Sequence, residues 1–356
     1  MTADQHLVIV GSYAESDKPG IYAFAFDEST GALTPRGSHA GVANPSFAIV
    51  HPSGQWLYAV SETDARSGAP GSVWALQMTR EPWGLAPINQ QASGGDLPCH
   101  LELDPSGRWL LVSNYGSGTV GVLPIQPDGS LGALADLVEH HGGGPNPARQ
   151  EGPHAHSAAF TPDDRYAIVA DLGMDQLLVY AFDPSAGRLG AHTHTSAPPG
   201  AGPRHIAFHP NGRRMYVANE MGSSVAVYDY DSSSGALREL QVVGTLPEGA
   251  PHNDVADIHL APSGERLYVS NRGHDSVAVF DVAADGLLAR VATPPCGGKW
   301  PRNFAVAPGG RFLLVANQHS DEVSVLPALD GPEALGAPVG RAAVPGASCV
   351  RFVATS

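Results

Sequence analysis

A motif that recurs about every fifty residues constrains this chain more than any other feature of its sequence. Each copy has an apolar alternation, a turn that begins at a proline, and an apolar run that usually ends in Val-x-Asn. The turn prolines are Pro52, Pro105, Pro162, Pro210, Pro262 and Pro308. A period of this size is typical of repeat architectures, in which each unit buries its apolar faces against its neighbours. We therefore interpret the chain as a series of equivalent units.

Each unit contains four segments with the pattern of antiparallel strands. Two strands flank the proline turn, a third alternates as in residues 224–230, and a weaker fourth follows a glycine turn. Four antiparallel strands, repeated radially, form the blade of a β-propeller. The 42 glycines and 31 prolines are spread in short turn clusters, which agrees with many short strands. The sequence therefore predicts an all-β protein without a helix of consequence.

The two ends of the chain together predict a seventh blade. Residues 347–353 have the pattern of a first strand, whereas residues 7–13 and 20–27 have the patterns of second and third strands. Joining the ends in one sheet closes the ring and removes exposed strand edges. We therefore predict a seven-bladed β-propeller with four antiparallel strands per blade. Residues 1–356 would form a single domain, closed by the N- and C-terminal strands in the same blade.

Charge and composition limit the possible partners and compartment. The formal net charge of −15 disfavours nucleic acid and anionic membranes, because both bind basic surfaces. The N-terminus has neither the positive charge nor the apolar run of a secretory signal. Three widely separated cysteines, Cys99, Cys296 and Cys349, do not suggest a disulfide framework. We predict a cytoplasmic protein that binds a small anionic molecule, and we leave open whether it is a monomer or a weak dimer.

The hairpin turns place a set of polar residues at one rim of the propeller. Around Pro210, a tight hairpin pairs Phe208 with Met215 or Tyr216, and the same register places Arg204 beside Glu220. Applied to all six units, this register gives two rings of positions at one mouth. Their charged and aromatic members include His100, His156, Arg204, His205, Asp257 and Arg302 before the turns, and Glu62, Tyr115, Glu220 and Arg272 after them. Polar groups gathered at the mouth of a channel suit a polar, anionic ligand.

Several strings of residues occur in an order that is typical of a known family. They are N-P-S-F, G-P-H-A-H-S, G-P-R-H-I-A-F-H-P-N-G, V-A-N-E, S-N-R-G-H-D and G-G-K-W-P-R-N-F. Over nearly the whole chain they resemble the propeller-type 6-phosphogluconolactonases and their relatives, the carboxy-muconate cyclases. The resemblance implies a seven-bladed propeller that hydrolyses 6-phosphogluconolactone in the pentose phosphate pathway, with no metal or other cofactor. It implies the catalytic residues His154, Arg204, Glu220 and Arg272.

Five further residues are predicted to bind substrate, namely His156, His205, Asp257, Lys299 and Arg302. Opening a lactone requires a base that activates water and a cation that stabilises the oxyanion. We assign Arg204 to the oxyanion, and the base is either Glu220 or His154. Arg272, together with Arg302, Lys299 or His156, would hold the phosphate or carboxylate end.

Two other functions fit the same residues. A carboxy-muconate-type lactonizing cyclase would use the same base and arginines to add a carboxylate to a double bond. A non-catalytic binding platform would instead present a large exposed patch on one face. The lactone itself also stays open, with or without a phosphate. The longest irregular loop, which follows His140, would be either a lid or a surface insertion.

Overall fold

The computed structural model describes residues 5–251 and 253–354 as seven antiparallel sheets of four strands each. In six sheets the strand order follows the chain, and in the remaining sheet the last strand of the chain precedes the first three. This confirms the predicted all-β, seven-bladed propeller. We number the blades from the one that contains the N-terminal strand.

The strand bounds are as follows. Blade one contains β1 (Gln5–Ser12), β2 (Ile21–Asp27), β3 (Ala32–His39) and β28 (Ala347–Val353). Blades two and three contain β4 (Ala48–Val50), β5 (Trp56–Ser61), β6 (Ser72–Arg80), β7 (Trp83–Ala92), β8 (Pro98–Leu103), β9 (Trp109–Asn114), β10 (Thr119–Pro124) and β11 (Asp136–Glu139). Blades four and five contain β12 (Ala155–Phe160), β13 (Tyr166–Asp171), β14 (Gln176–Asp183), β15 (Arg188–Ser196), β16 (Pro203–Phe208), β17 (Arg214–Asn219), β18 (Ser224–Asp231) and β19 (Ala236–Gly244). Blades six and seven contain β20 (Asp254–Leu260), β21 (Arg266–Arg272), β22 (Ser276–Val282), β23 (Leu288–Ala292), β24 (Pro301–Val306), β25 (Phe312–Asn317), β26 (Glu322–Pro327) and β27 (Gly340–Ala343).

Helical structure within the described ranges is limited to two 3₁₀ turns, Ala65–Ser67 and Gln318–Ser320. No helix in this part of the chain has the length and apolar character needed to cross a membrane. The expectation of no helix of consequence is therefore confirmed for the described residues.

The two chain ends close the ring through a backbone ladder. Strand β28 pairs antiparallel with β1, and Val353 lies opposite Leu7 while Val350 lies opposite Val10. The ladder removes the free strand edge that each terminal segment would otherwise expose. The closure predicted from the sequence is thus confirmed.

The core consists of seven apolar clusters, one at each contact between neighbouring blades. Side chains alternate across a strand, so one strand supplies two clusters. In β1, Leu7 and Ile9 pack against blade two, whereas Val8 and Val10 pack against blade seven. Each blade is therefore held on both faces, which makes the ring a rigid support for a site on its axis.

Candidate active site

Bulges in the inner strands direct side chains into the central funnel. In five blades, the ladder between the first and second strands shifts at the same place. In blade five, Phe208 lies opposite Met215, as predicted. The pairing then shifts by one residue, because Arg204 is an extra residue between Pro203 and His205 that has no partner in the ladder. A bulge sets two residues against one and re-aims their side chains. The bulged positions include Cys99, His156, Arg204, Asp257 and Arg302.

Glu220 lies at the centre of the site, where arginines from three segments converge on its carboxylate. Oε2 lies 2.9 Å from Nε of Arg204 and 2.8 Å from Nη2 of Arg272. The Arg204 contact is an ion pair by distance, because its Nε–H is not aligned for a hydrogen bond. Nη2 of Arg149 donates to the other oxygen, Oε1. The structure therefore brings Arg204, Glu220 and Arg272 together and adds a third arginine.

This cluster fixes the charge of Glu220. Burial by itself would raise the pKa of the carboxyl group, but the charges of Arg272, Arg204 and Arg149 outweigh it and lower the pKa to about 2. Burial, with the neighbouring charge of Arg272, lowers the pKa of Arg204 to about 10. Glu220 is thus an anion near neutral pH and accepts a proton weakly. Because an efficient general base has a pKa near the working pH, this carboxylate is better suited to anchoring the arginines.

Below the mouth, a histidine and an aspartate hold Arg204 in place. Nη1 of Arg204 donates to the carbonyl oxygen of Ala256 at 2.7 Å and lies 3.2 Å from Nε2 of His205. Because an arginine only donates, His205 Nε2 is the acceptor and Nδ1 carries the proton. Nδ1 donates to Oδ1 of Asp257 at 2.6 Å. Burial and the charge of Arg204 lower the pKa of His205 to about 4, which keeps its ring neutral.

Asp257 is saturated by protein partners and lies inside the channel. Its Oδ2 accepts from Asn303 Nδ2, from the Phe304 amide at 3.2 Å and from His259 Nε2 at 2.9 Å. Burial would raise the pKa of this carboxyl group, but His259 and His205 keep it well below its usual value. His205 and Asp257 thus support Arg204. Their predicted contact with substrate stays a prediction.

His154 lies at the mouth of the funnel and stacks on the ring of Tyr115. Its ring stacks on Tyr115 with centroids 4.4 Å apart, and its Nδ1 lies 2.9 Å from the Tyr115 carbonyl oxygen. A carbonyl only accepts, so Nδ1 carries the proton and the neutral ring has its lone pair on Nε2. His156 packs edge-on against Tyr115, and its Nε2 lies 4.0 Å from Oε2 of Glu220. Burial and the charge of Arg204 hold the pKa of His156 well below its usual value.

The opposite side of the mouth carries Arg302. Its Cζ lies 5.1 Å from the ring centroid of Tyr13, and its Nη2 lies 4.0 Å from Oε1 of Glu62. Tyr13 Oη donates to Oε2 of Glu62 at 2.8 Å, and the Ser46 hydroxyl donates to the same oxygen. Burial raises the pKa of the Tyr13 hydroxyl, which is therefore protonated and able to donate. Lys299 is exposed, and in the described part of the chain its polar contacts involve only its backbone.

Sequence reasoning missed Arg149. It lies in the irregular segment between β11 and β12, for which the repeat provides no register. The neighbouring Gln150 fixes this loop, because its Nε2 donates to the Leu172 carbonyl at 2.9 Å and its Oε1 accepts from the Asn146 amide at 3.1 Å. The loop therefore reaches the funnel and contributes to its wall. Glu62 and Tyr115 were placed at the rim by the register but were not selected as site residues.

The mouth contains four guanidinium groups, and two of them have N–H donors that are free to bind a ligand. Arg149, Arg204, Arg272 and Arg302 surround the funnel in a chain whose net charge is −15. Among the described residues, Nη2 of Arg204 and Nη1 of Arg272 have no hydrogen-bond partner. Guanidinium groups match the geometry of carboxylate and phosphate oxygens. A surface cavity of about 680 Å³ lies elsewhere, around Arg266 and Arg311 of blades six and seven.

A closed propeller with an arginine-lined funnel and a histidine at its mouth is suited to binding a small molecule on the propeller axis. Residues 7–352 match the family described as lactonase, 7-bladed beta-propeller, and the chain belongs to this family. As a member it is a lactone-hydrolysing enzyme, which confirms the family and reaction class predicted from the sequence.

Individual relatives agree with this assignment. The chain is 36% identical to a 6-phosphogluconolactonase of Bacillus subtilis, over 98% of this chain and 99% of the relative. It is 32% identical to a 6-phosphogluconolactonase of Formosa agariphila, over 89% of this chain and 91% of the relative. The solved structure of the periplasmic gluconolactonase PpgL of Pseudomonas aeruginosa superposes with a TM-score of 0.93 at 33% identity, covering 99% of this chain and all of that one.

Proposed function

We propose that this enzyme hydrolyses 6-phosphogluconolactone to 6-phosphogluconate. The observation that carries the proposal is the ring of four arginines at the funnel mouth, because a phosphorylated lactone presents anionic oxygens at one end and develops a second anion at the other. Two relatives that match nearly the full chain bear the name 6-phosphogluconolactonase. Plain gluconolactone is the second candidate, favoured by the likeness to the gluconolactonase structure.

His154 is the proposed general base. Its Nδ1 proton is engaged by the Tyr115 carbonyl, so its Nε2 lone pair is available to accept a proton from water. Glu220 is the weaker candidate because its pKa is about 2. Positioned proton transfer of this kind contributes about 10²- to 10⁴-fold to a rate.

Arg204 and Arg272 are proposed to stabilise the oxyanion. As the water oxygen bonds to the carbonyl carbon, negative charge develops on the carbonyl oxygen, and pre-oriented donors stabilise that charge. Both guanidinium groups are held by Glu220, and Arg204 is further held by His205 and Asp257. Their orientation therefore exists before the substrate binds.

Collapse of the tetrahedral intermediate completes the reaction. The bond between the carbonyl carbon and the ring oxygen breaks, and the proton held on His154 Nε2 passes to the leaving oxygen to form a hydroxyl group. The product acid then loses a proton to solvent. No covalent enzyme intermediate is required in this scheme.

Either Arg302 or Arg149 is proposed to bind the phosphate end, with Lys299 at the outer edge. The side chain of Arg149 is 36% exposed, whereas that of Arg204 is 3% exposed, so the outer and inner cations suit opposite ends of the substrate. Glu62 and Tyr13 would form hydrogen bonds with the sugar hydroxyl groups, which a muconate-type substrate lacks. His156 would line the wall beside Glu220 and Tyr115.

We further propose that the ring acts as one domain, monomeric or weakly dimeric, in the cytoplasm. The three cysteines are buried and unpaired, as expected in a reducing compartment. The net charge of −15 disfavours nucleic acid and anionic membrane surfaces as partners.

Hydrolysis rates for phosphorylated and plain gluconolactone, with spontaneous hydrolysis subtracted, test the proposal. We expect kcat/KM for the phosphorylated lactone to be higher by at least about tenfold, because one added charged contact contributes roughly 1.5–3 kcal/mol. Addition of a chelator should leave the rate unchanged. Equal rates on both lactones would favour the second candidate. Ultraviolet loss of a conjugated diene acid, without hydrolysis of either lactone, would instead identify a cyclase.

A further inference from the structure

Trp300 has a backbone conformation that bulky residues rarely adopt, and it lies against an active-site arginine. Its φ is +61°, in the left-handed region, where residues other than glycine incur a steric penalty. The Cζ atom of Arg272 lies 5.5 Å from the centroid of the Trp300 ring. Arg272 is in turn paired with Glu220 at 2.8 Å. Strained residues of this kind are concentrated at functional sites.

A left-handed residue recurs at this position in four of the seven blades. Four equivalent residues have φ between +45° and +64°. Each is followed directly by a proline near the start of the first strand of its blade, and they are Asn44, Leu97, Gly202 and Trp300. Their carbonyl groups accept from the amides of the corresponding rim residues Glu62, Tyr115, Glu220 and Gln318. Glycine and asparagine adopt this conformation with little penalty. Leu97 shows that this position also admits an apolar side chain, so the argument for a role of Trp300 rests on its contact with Arg272.

The surroundings of Trp300 fix the ring beside the arginine. Its backbone amide donates to Oδ1 of Asp275 at 2.8 Å, and its ring stacks on His319 with centroids 4.7 Å apart and planes at 18°. A cation beside the face of a tryptophan is attracted by the negative charge of the ring face. The same arrangement occurs across the mouth, where Arg302 lies over Tyr13.

We propose that Trp300 is a positioning residue, whose ring holds the Arg272 guanidinium in the orientation that meets both Glu220 and the reacting carbonyl oxygen. The proposal rests on the hydrolysis described above, in which Arg272 stabilises the oxyanion. Trp300 acts through Arg272 and does not itself bind the reacting atoms. Its loss therefore lowers kcat more than it raises KM, as is typical when an interaction made in the transition state is weakened.

Four variants separate positioning from packing. Trp300→Phe retains an aromatic face, Trp300→Leu retains an apolar side chain without one, and Trp300→Gly removes the side chain. Leu97→Gly is the matched control, because it makes the same backbone change at the equivalent position of blade three. The readouts are kcat, KM and Tm for 6-phosphogluconolactone, together with calorimetric affinity for 6-phosphogluconate.

We expect kcat to fall in the order Phe, Leu, Gly, with a loss of about tenfold or more in the last two, because small misplacements of a catalytic group have effects of this size. The Phe and Leu variants should have similar Tm values, and Leu97→Gly should keep kcat within about twofold of the parent, as most changes away from functional groups do. Equal kcat values in the Phe and Leu variants, or losses that follow Tm, would overturn the proposal. If the parent hydrolyses no lactone, the proposed function fails first. The positioning role is then tested by the affinity of each variant for 6-phosphogluconate. We expect this affinity to fall in the order Phe, Leu, Gly, and any other order would contradict the positioning role.

Discussion

Replacing Glu220 with Gln is expected to reduce kcat/KM by at least about a thousandfold, since the loss of a single oxyanion donor already costs about 10²- to 10³-fold. The carboxylate pairs with Arg204 and Arg272 through one oxygen and with Arg149 through the other. A neutral amide cannot balance three guanidinium charges, so these groups repel one another and lose their orientation. The measurement is steady-state hydrolysis of the phosphorylated lactone.

The same substitution should destabilise the fold by about 3–5 kcal/mol, because it leaves buried cations without their counterion. The effect should depend on pH with a definite sign. The pKa of Glu220 is lowered to about 2 from an ordinary value of 4.5, so its stabilisation is present above about pH 4.5 and is lost as the pH falls towards 2. The stability difference between parent and variant should therefore be constant from pH 5 to 7 and shrink below about 4.5.

Glu28→Gln is the matched control for Glu220. Glu28 is also buried and carries an ion-pair contact, with His6 at 3.1 Å, but it follows β2 at the end of the blade away from Tyr13 and the mouth. We expect this variant to lose stability while it keeps kcat/KM within about threefold of the parent, as changes outside the site usually do. A Glu220→Gln enzyme that retains more than a tenth of the parent activity would contradict the anchoring role of Glu220.

Replacing His154 with Ala is expected to lower kcat by about 10²- to 10⁴-fold with little change in KM, because the base acts on the water and not on substrate binding. The substitution leaves space beside Tyr115, where the histidine ring now stacks. Added imidazole should occupy that space and restore part of the rate in a saturable manner. The measurement is kcat as a function of imidazole concentration.

His194→Ala provides the comparison for His154. His194 is exposed on the outer strand β15 and is remote from the funnel. Its variant should show parental kcat and no response to imidazole. If His154→Ala loses less than tenfold in rate, another group is the base. If it loses the full rate but does not respond to imidazole, His154 only supports Tyr115.

The sequence repeat was sufficient to predict the fold and much of the candidate site. A fixed spacing around six turn prolines predicted the blades, and the patterns of the two termini predicted the closing sheet, because strand periodicity and edge pairing are local and strong signals. The same register brought Arg204, Glu220 and Arg272 to one rim, and these three residues meet in the structure.

The remaining features depend on interactions that the repeat does not encode. The bulge at Arg204 slips the register by one residue and turns successive side chains towards the axis. Arg149 reaches the site from an irregular loop held by Gln150, and no periodicity locates such a residue. Asp257 supports Arg204 through His205, and this chain of hydrogen bonds can be recognised only from the positions of the donor and acceptor atoms in the structure. Trp300 lies against Arg272 from a left-handed backbone position that a tryptophan rarely occupies.

A crystal structure of the enzyme with bound 6-phosphogluconate is the most direct measurement of where the chemistry occurs. The account predicts the product carboxylate within hydrogen-bonding distance of Arg204 and Arg272, and the phosphate against Arg302 or Arg149. Product bound in the cavity around Arg266 and Arg311, with the funnel empty, would contradict it.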